Sequence, residues 1–125
     1  MKDETKCLHA GYTPGNGEPR VLPIVQSTTY VYDSAAEVAA IFDDPTKGLC
    51  YSRFGNPTVM AVEQKIAELE GGVGAMCTTS GQAATLLSIL NICTVGDSII
   101  STPTIYGGTI NLFSFTPVSY THLRA

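Results

Sequence analysis

The sequence predicts an α/β fold in which an irregular N-terminal arm precedes the first part of a parallel-sheet domain. Residues 1–33 are rich in glycine, proline and threonine and show no sustained hydrophobic period. Residues 57–70 carry apolar side chains at helical spacing. From residue 73 onward, segments typical of a strand, a helix, a strand and a helix follow with short connections, which is the pattern of a parallel sheet. Because two strands make only a small part of such a sheet, we expect the domain to be incomplete.

The composition favours a folded globular protein over several other classes. Hydrophobic residues make up 44% of the 125 residues and charged residues 14%, which disfavours disorder. The net charge is −4 and no basic run is present, so we expect no nucleic-acid partner. The longest apolar stretch, residues 86–92, is far shorter than the roughly 20 residues that cross a bilayer. The first residues also lack the apolar core of a secretory signal, so we expect no membrane partner and a cytoplasmic location.

The four cysteines predict free thiols rather than a disulfide framework or a metal site. They form no CxxC pair and show no ligand-like spacing with His9 or His122. We therefore expect isolated, buried thiols in a reducing compartment and no bound metal. The cysteines are Cys7, Cys50, Cys77 and Cys93.

The first third of the chain predicts turns, an extended segment and one short helix. "GYTPGNGEPR" reads as successive turns. "VLPIVQSTTYVY" is rich in β-formers but contains Pro23, so we expect an edge strand or an arm rather than a central strand. "SAAEVAAIFDD" predicts a helix that is capped by Asp33 or Ser34 and stops before Pro45.

Residues 57–70 give the strongest helix signal of the chain. Asn56 is a good N-cap, and Pro57 falls at the first helical position, where its missing N–H has no cost. The glycine pair that begins at Gly71 ends the helix. The apolar stripe consists of Val59, Val62, Ile66 and Leu69.

The remaining segments predict the alternating elements of the sheet domain. "VGAMCTT" reads as a short buried strand, and "GDSIIS" reads as a second strand. Between them, "GQAATLLSILNIC" predicts a helix that is apolar almost all round and is therefore expected inside a larger body. "YGGTINLFSF" predicts the start of another helix.

The junction between the first strand and its helix predicts an anion site. Ser80 precedes a helix start, where unpaired N–H groups and the helix dipole favour negative charge. Gly81 lets an anion approach the backbone, and Gln82 offers another N–H and a flexible amide. A phosphate is the natural ligand. An ordinary serine cap with a glycine for tight packing remains an equal alternative. No P-loop or GxGxxG pattern is present, which disfavours a nucleotide.

Three further side chains suit a phosphorylated, flat ligand. Tyr51 and Arg53 stand two residues apart in an expected extended segment, so their side chains should point to the same side and suit a phosphate dianion. Tyr106 lies beyond the second strand, where open α/β sheets bind ligands and where its ring could stack on a heterocycle. A surface arginine and two tyrosines that merely pack remain the alternative.

Seven stretches in order resemble the Cys/Met-metabolism family of pyridoxal-5′-phosphate (PLP) enzymes. They are "LHAGY", "PIVQSTTYVY", "YSRFGNPT", "LEGG", "TTSGQAAT", "GD" and "YGGTINLF", and they cover residues 7 to about 117. Within the family, "HAGY", "SGQAA" and "YGGTINLF" are most similar to the O-acetylhomoserine sulfhydrylases, also called O-acetylhomoserine aminocarboxypropyltransferases. The resemblance implies fold type I, the aspartate aminotransferase-like fold, for the large domain.

The resemblance also implies roles for individual residues. The amides of Gly81 and Gln82, with Ser80 beside them, would hold the cofactor phosphate in their own subunit. Tyr51 and Arg53 would reach the phosphate of a neighbouring subunit's cofactor, so that each site is shared across a dimer.

The implied reaction is γ-replacement on a cofactor whose pyridine ring stacks on Tyr106. Sulfide would replace the acetate of O-acetylhomoserine and give homocysteine, a transsulfuration step of methionine biosynthesis. The family implies a cytoplasmic homotetramer built as a dimer of dimers. Residues 1–60 would form an arm that contacts a neighbouring subunit, and residues 61–117 would begin the PLP-binding domain. Residues 118–125, which read "VSYTHLRA", are expected to be a non-native tail.

The chain is expected to lack turnover by itself. The Schiff-base lysine of the family is expected beyond residue 125, and we therefore assign no catalytic residue. The lysines whose context does not match it are Lys2, Lys6, Lys47 and Lys65. Two alternatives stay open: a part of a cystathionine γ-synthase or γ-lyase, and a non-catalytic phosphate-binding module.

Overall fold

The structure, a computed structural model, describes residues 2–94, 96–115 and 122–124. It contains two compact units, residues 1–77 and residues 78–125. Five helices, one 3₁₀ turn and two short strands are described. They are α1 (Asp3–His9), α2 (Ala35–Asp43), the 3₁₀ turn (Pro45–Lys47), α3 (Pro57–Glu70), α4 (Gly81–Ile92), β1 (Ser98–Ile100), α5 (Gly107–Phe115) and β2 (His122–Arg124).

Helix α1 was not predicted, because residues 1–33 were expected to form turns. Its seven residues are too few to show a hydrophobic period, and charge placement stabilises it instead. Asp3 and Glu4 lie in the first turn and Lys6 and His9 in the last, which complements the helix dipole. Lys6 also pairs with Asp3 at 3.2 Å.

The segment after α1 packs against α3 within the first unit. Ala10 is 7% exposed, and the Lys65 ammonium donates to the Cys7 carbonyl at 3.0 Å. Gly11 has φ +85° and lies so close to α3 that a Cβ would overlap the carbonyl oxygen of Ala61. The backbone of the "HAGY" stretch therefore depends on a glycine for both its conformation and its packing.

Helix α2 confirms the short helix predicted after residue 33. The Ser34 hydroxyl accepts from the Glu37 N–H at 3.3 Å and caps the helix, and Ile41 is 5% exposed. The 3₁₀ turn follows because Asp44 caps it by accepting from the Thr46 N–H at 3.1 Å. The hydroxyl and backbone hydrogen bonds from Thr46 lower the pKa of the Asp44 carboxyl.

Helix α3 confirms the strongest sequence prediction. The Asn56 carboxamide oxygen accepts from the N–H groups of Thr58 and Val59 at 3.0 and 3.4 Å. Gly71 ends the helix in the left-handed conformation, with φ +67°. The predicted apolar stripe is only half-covered, since Ile66 is 45% exposed.

The strand predicted from "VGAMCTT" does not form. Residues 73–77 have no ladder partner among the described residues, and Val73 and Met76 are exposed. The Cys77 N–H instead donates to the Glu63 carboxylate at 2.7 Å. A strand is stable only where a neighbour takes its N–H and C=O groups, and here a side chain of α3 takes one of them.

The second unit confirms the helix, strand and helix predicted from residues 81 to 115. Helix α4 starts at the predicted residue and ends one residue early, with Cys93 as its C-cap. It has no buried residue, whereas the sequence predicts it inside a larger body; Leu87 is 43% exposed. Helix α5 buries Phe113 at 7% exposure. Strand β1 pairs in parallel with β2, with Ser98 opposite His122 and Ile100 opposite Arg124.

Part of the expected non-native tail lies outside the described residues. Residues 118–121 and 125 are not described, whereas His122–Arg124 form β2. That expectation therefore stays a prediction, as does the division of the chain into an arm and a domain start at residue 60.

The "GD" stretch forms the turn that leads into β1. Gly96 has φ +96°, and the Asp97 carboxylate accepts from the N–H and the hydroxyl of Thr94 at 2.6 and 3.0 Å. These bonds, the backbone one first, lower the pKa of the Asp97 carboxyl.

The cysteines are free, but the expectation that they are buried is wrong. Cys7 and Cys77 are exposed, and Cys50 and Cys93 are half-buried. Among residues 2–94, 96–115 and 122–124, no cluster of histidine, cysteine or carboxylate side chains could hold a metal ion. No described helix is long and apolar enough to cross a membrane.

We expect Gly11→Ala to destabilise the chain more than Gly17→Ala. Both glycines have positive φ, but a Cβ at Gly17 would meet no described atom within 4 Å. Gly17→Ala should therefore lower the free energy of unfolding by the conformational cost alone, about 1 kcal/mol. Gly11→Ala adds the overlap with Ala61 and should cost about 2 to 5 kcal/mol. Urea unfolding of the full-length protein that carries this chain, followed by circular dichroism, measures both losses, and equal losses would contradict the close packing on α3.

Candidate functional site

The start of α4 leaves two backbone donors available. Ser80 is the N-cap, and its hydroxyl oxygen accepts from the Ala83 N–H at 3.1 Å. Its carbonyl accepts from the Ala84 N–H at 3.0 Å. Within the described chain, the N–H groups of Gly81 and Gln82 have no acceptor. Two adjacent unpaired donors at the positive end of a helix dipole suit an anion.

The space above Gly81 is open. A Cβ at this position would meet no described atom within 4 Å, and the residue is exposed. The alternative that a glycine is needed here for tight packing therefore has no support from the described residues. An open glycine at a helix start instead lets a ligand come close to the backbone.

Gln82 turns its side chain into the second unit. The residue is half-buried, and its side-chain oxygen Oε1 is buried without a hydrogen-bond partner among the described residues. Its amide nitrogen Nε2 lies beside Gly108 of α5. The sequence predicts a flexible amide at Gln82, and the structure places that amide beside another helix.

Tyr106 lies immediately before α5, beyond β1, as predicted. Its carbonyl accepts from the N–H groups of Thr109 and Ile110 at 2.8 and 3.2 Å, which fixes its backbone at the helix start. Tyr106 as a residue is 76% exposed, which leaves its ring accessible for stacking. Gly108 adjoins both the Tyr106 ring and the Gln82 amide, and the second unit thus brings these two predicted residues together.

Tyr51 and Arg53 are paired, but not in the way that the sequence predicts. The segment is a turn rather than an extended strand, because the N–H groups of Phe54 and Gly55 donate to the Tyr51 carbonyl at 2.9 and 3.2 Å. The Arg53 guanidinium carbon lies 5.1 Å from the centroid of the Tyr51 ring and 5.4 Å from that of Phe54. Cation–π contact with two rings therefore orients the guanidinium.

The Arg53 side chain is available to an anion. It is exposed, and it forms no ion pair with any residue that the structure describes. The guanidinium donors thus remain free for charge-assisted hydrogen bonds. The first unit carries this phenol–guanidinium pair, and the second unit carries the start of α4 with Tyr106.

Asn56 holds the Tyr51–Arg53 turn against the extended segment, a role that the sequence prediction missed. The residue is 8% exposed. Besides capping α3, its amide donates to the Val25 carbonyl at 3.0 Å and to the Ser52 hydroxyl at 3.2 Å. The Ser52 N–H donates to the Thr28 carbonyl at 2.9 Å, and its hydroxyl donates to the Ser27 carbonyl. The cap role of Asn56 can be recognised from its position before a helix, but its second role as a buried donor has no pattern of its own in the sequence.

Comparison with known proteins identifies relatives along nearly the whole chain. The family described as Cys/Met metabolism PLP-dependent enzymes matches residues 4–122. The O-acetyl-L-homoserine sulfhydrylase of Corynebacterium glutamicum is 48% identical over 114 residues, which cover 90% of this chain and 26% of that protein. The O-acetyl-L-homoserine sulfhydrylase 1 of Thermus thermophilus is 45% identical over 120 residues, covering 93% of this chain and 28% of that protein. The chain spans about a quarter of the length of these curated relatives.

Solved structures share the fold. A protein assigned as an O-acetylhomoserine (thiol)-lyase from Campylobacter jejuni, which carries pyridoxyl-lysine phosphate, matches with a TM-score of 0.86 and 33% identity. The match covers 99% of this chain and 31% of that one. Cystathionine γ-lyase from Lactobacillus plantarum, complexed with L-serine, matches with a TM-score of 0.82 and 30% identity over 100% of this chain and 31% of that one. The predicted α/β class, an arm and the first part of a fold-type I domain, is confirmed.

We expect Asn56→Ala to destabilise the chain by about 2 to 4 kcal/mol, because it removes a helix cap and two further hydrogen bonds from a buried site. Ser34→Ala is the matched control, since Ser34 caps α2 with a single bond at the surface. It should cost about 0.5 to 1 kcal/mol.

Asn56→Asp separates the two roles of Asn56. The carboxylate keeps the acceptor for the α3 cap but loses the donor to Val25 and Ser52. Trypsin should therefore cleave faster after Arg53 in Asn56→Asp than in the unmodified chain, while helix content by circular dichroism stays the same. Unchanged cleavage would mean that the amide does not hold the turn.

Proposed function

The chain belongs to the family of Cys/Met metabolism PLP-dependent enzymes, and on this premise we propose that it is the N-terminal part of an enzyme that makes homocysteine from O-acetylhomoserine and sulfide. The observation that carries the proposal is the start of α4, whose unpaired donors and open glycine fit a phosphate. The choice of reaction is supported by relatives at 45–48% identity that are O-acetyl-L-homoserine sulfhydrylases. The reaction is a γ-replacement in transsulfuration and methionine biosynthesis.

The residues at the start of α4 hold the cofactor phosphate in this proposal. Gly81 and Gln82 donate their backbone N–H groups, which need an acceptor. The Ser80 oxygen accepts from Ala83, which leaves its hydroxyl proton free to donate to the same phosphate. All three donors are neutral, so the dianion still requires a cation.

Arg53 supplies that cation, with Tyr51 beside it. We propose that both reach the phosphate of a neighbouring subunit's cofactor and that the complete protein is a homo-oligomer, a tetramer built as a dimer of dimers. The exposure of the guanidinium and its stacking on Tyr51 and Phe54 support a role directed away from the chain's own packing. In this proposal residues 1–60 are the arm that carries Tyr51 and Arg53 to the neighbour, and residues 61–117 begin the PLP-binding domain.

Tyr106 orients the cofactor ring. Its exposed ring stands at the start of α5, and stacking on a pyridine ring fixes the plane of that ring relative to the bound phosphate. When bound, PLP supplies the electron sink for the reaction at the substrate amino acid. The residues of this chain bind and orient the cofactor and include no catalytic residue, because the family's Schiff-base lysine is proposed to lie outside them.

A cytoplasmic location completes the proposal. The exposed thiols of Cys7 and Cys77 fit a reducing compartment, where thiols stay free.

A cystathionine γ-lyase or γ-synthase is the second candidate. It is supported by the structural match to the Lactobacillus plantarum cystathionine γ-lyase, whose identity of 30% is close to the 33% of the Campylobacter jejuni protein. The two candidates share the cofactor site and differ in the substrate and the thiol.

The full-length protein that carries this chain should convert O-acetylhomoserine and sulfide to homocysteine in the presence of PLP. Supplying cysteine in place of sulfide should give little cystathionine, and cystathionine as substrate should give little breakdown. Chromatography of the amino-acid products measures all three reactions. Preference for cysteine or cystathionine would replace the first candidate by the second.

The 125-residue chain alone should give no homocysteine under the same conditions. Turnover by it would show that the chain holds a catalytic residue after all. A sharp thermal unfolding transition of the isolated chain, without turnover, would favour the phosphate-binding module.

Arg53→Ala should weaken PLP binding by the full-length protein roughly 10- to 100-fold, which corresponds to one lost charge-assisted contact. Arg53→Lys should recover only part of the affinity, because an ammonium does not stack on two rings or bind bidentately. Arg20→Ala is the control, since Arg20 is another exposed arginine of the same unit. Titration of the apoprotein with PLP, followed by visible absorption, measures the affinities. Equal affinities of the Arg53→Ala and Arg20→Ala variants would remove Arg53 from the site.

A further inference from the structure

The two glycines at the start of α5 have opposite surroundings. A Cβ at Gly107 would meet no described atom within 4 Å. A Cβ at Gly108 would lie 2.5 Å from Nε2 of Gln82, 2.5 Å from Cε1 of Tyr106 and 3.1 Å from Cδ1 of the same ring. The place that a side chain at position 108 would occupy is therefore filled by the Gln82 amide and the edge of the Tyr106 ring.

The shared neighbour brings Gln82 and Tyr106 within reach of each other. Nε2 of Gln82 and Cε1 of Tyr106 each lie 2.5 Å from the position that a Cβ at Gly108 would take, so the two atoms are separated by no more than twice that distance. The rest of the ring is open, because Tyr106 is 76% exposed. The Gln82 amide and the Gly108 backbone thus lie along one edge of the Tyr106 ring, and the rest of the ring is exposed to solvent.

The Gln82 amide is well suited to contact that edge. Its Oε1 is buried although the residue as a whole is only half-buried, so its amide end lies inside the unit. A side chain whose amide oxygen is buried has few alternative rotamers, because packed groups lose rotational freedom. The same residue begins α4 with an unpaired N–H, so the phosphate donor and the ring contact are one covalent unit.

We propose that Gln82 and Gly108 are positioning residues for Tyr106: the Gln82 amide packs against the ring edge, Gly108 leaves the room for this contact, and together they set the ring at the angle required for stacking on the cofactor. The proposal rests on the proposed function for its ligand. An added methyl group at position 108 would overlap side-chain atoms of Gln82 and Tyr106. Of these two side chains, the exposed Tyr106 ring has the room to move, so we expect the ring to be displaced while the helix stays folded.

The test compares Gly108→Ala with Gly107→Ala in the full-length protein loaded with PLP. Gly108→Ala should change the visible circular dichroism of the bound cofactor and lower kcat roughly 10- to 100-fold, the effect of a misplacement of about 1 Å. Its thermal midpoint should match that of Gly107→Ala, which should leave the cofactor spectrum and kcat unchanged. An unchanged spectrum, or a spectral change that appears only together with a lowered thermal midpoint, would overturn the proposal.

A double variant tests whether Gln82 and Gly108 act through the same contact. Gln82→Ala keeps the backbone N–H but frees the space beside Gly108. Gly108→Ala should therefore add little to Gln82→Ala, whereas the effects of independent sites add. Gln82→Met, which fills a similar volume, should retain most of the wild-type spectrum. Strict additivity of the two alanine variants would overturn the shared contact.

A cofactor-free readout separates this proposal from the proposed function. The crystal structure of the apoprotein with Gly108→Ala should show the Tyr106 ring displaced from its wild-type position, and Gly107→Ala should not. If the wild-type protein does not bind PLP, the proposed function is overturned. The two apoprotein structures would still show whether Gln82 and Gly108 position the Tyr106 ring. An unmoved ring would overturn the contact even if PLP binds.

Discussion

The proposed function of this chain depends on two N–H groups at the start of α4 that have no acceptor among the described residues. A helix start always has unpaired donors, and Ser80 satisfies only one of them, the Ala83 N–H. The N–H groups of Gly81 and Gln82 remain without an acceptor, and a Cβ at position 81 would meet no described atom within 4 Å. The proposed phosphate site thus takes its backbone donors from helix geometry and its positive charge from Arg53 of a neighbouring subunit.

In the first unit, side-chain hydrogen bonds hold the irregular segment around Val25 in one conformation. A segment without ladder partners must satisfy its backbone through side chains. Asn56 and Thr58 do this, since the Asn56 amide donates to the Val25 carbonyl and the Thr58 hydroxyl accepts from the Val25 N–H at 2.9 Å. The Tyr51–Arg53 turn is attached to Asn56 through the Ser52 hydroxyl. The order of the arm and the orientation of the guanidinium therefore have a common origin.

Most of the helices could be predicted because their start and end residues lie within a few positions in the sequence. The strands and the site contacts depend on residues far apart in the sequence, which a local pattern does not reveal. Caps and end glycines are encoded within a few residues, so α3 and α4 follow from Asn56, Gly71 and Ser80. The strand expected at residues 73–79 depends on partners that sequence periodicity does not supply, and a Glu63 carboxylate takes the Cys77 N–H instead. The sequence predicts an extended backbone at Tyr51 and Arg53, whereas the structure has a turn. Two residues that are two positions apart share a face in a strand and can also form a cation–π contact in a turn, so their spacing does not distinguish the two backbones.

The contact between Gln82 and Tyr106 has consequences for how the site is built. A phosphate and a ring of one ligand are rigidly linked, so the groups that receive them must keep a fixed relation. In the proposed site this relation runs through Gln82: its N–H, which has no acceptor among the described residues, would donate to the phosphate, and its amide lies beside Gly108 near the ring that would stack on the heterocycle. A residue of lower volume at position 82 would keep the phosphate donor but release the ring. Phosphate binding alone would need only the backbone N–H at position 82, whereas positioning the Tyr106 ring also needs the glutamine side chain.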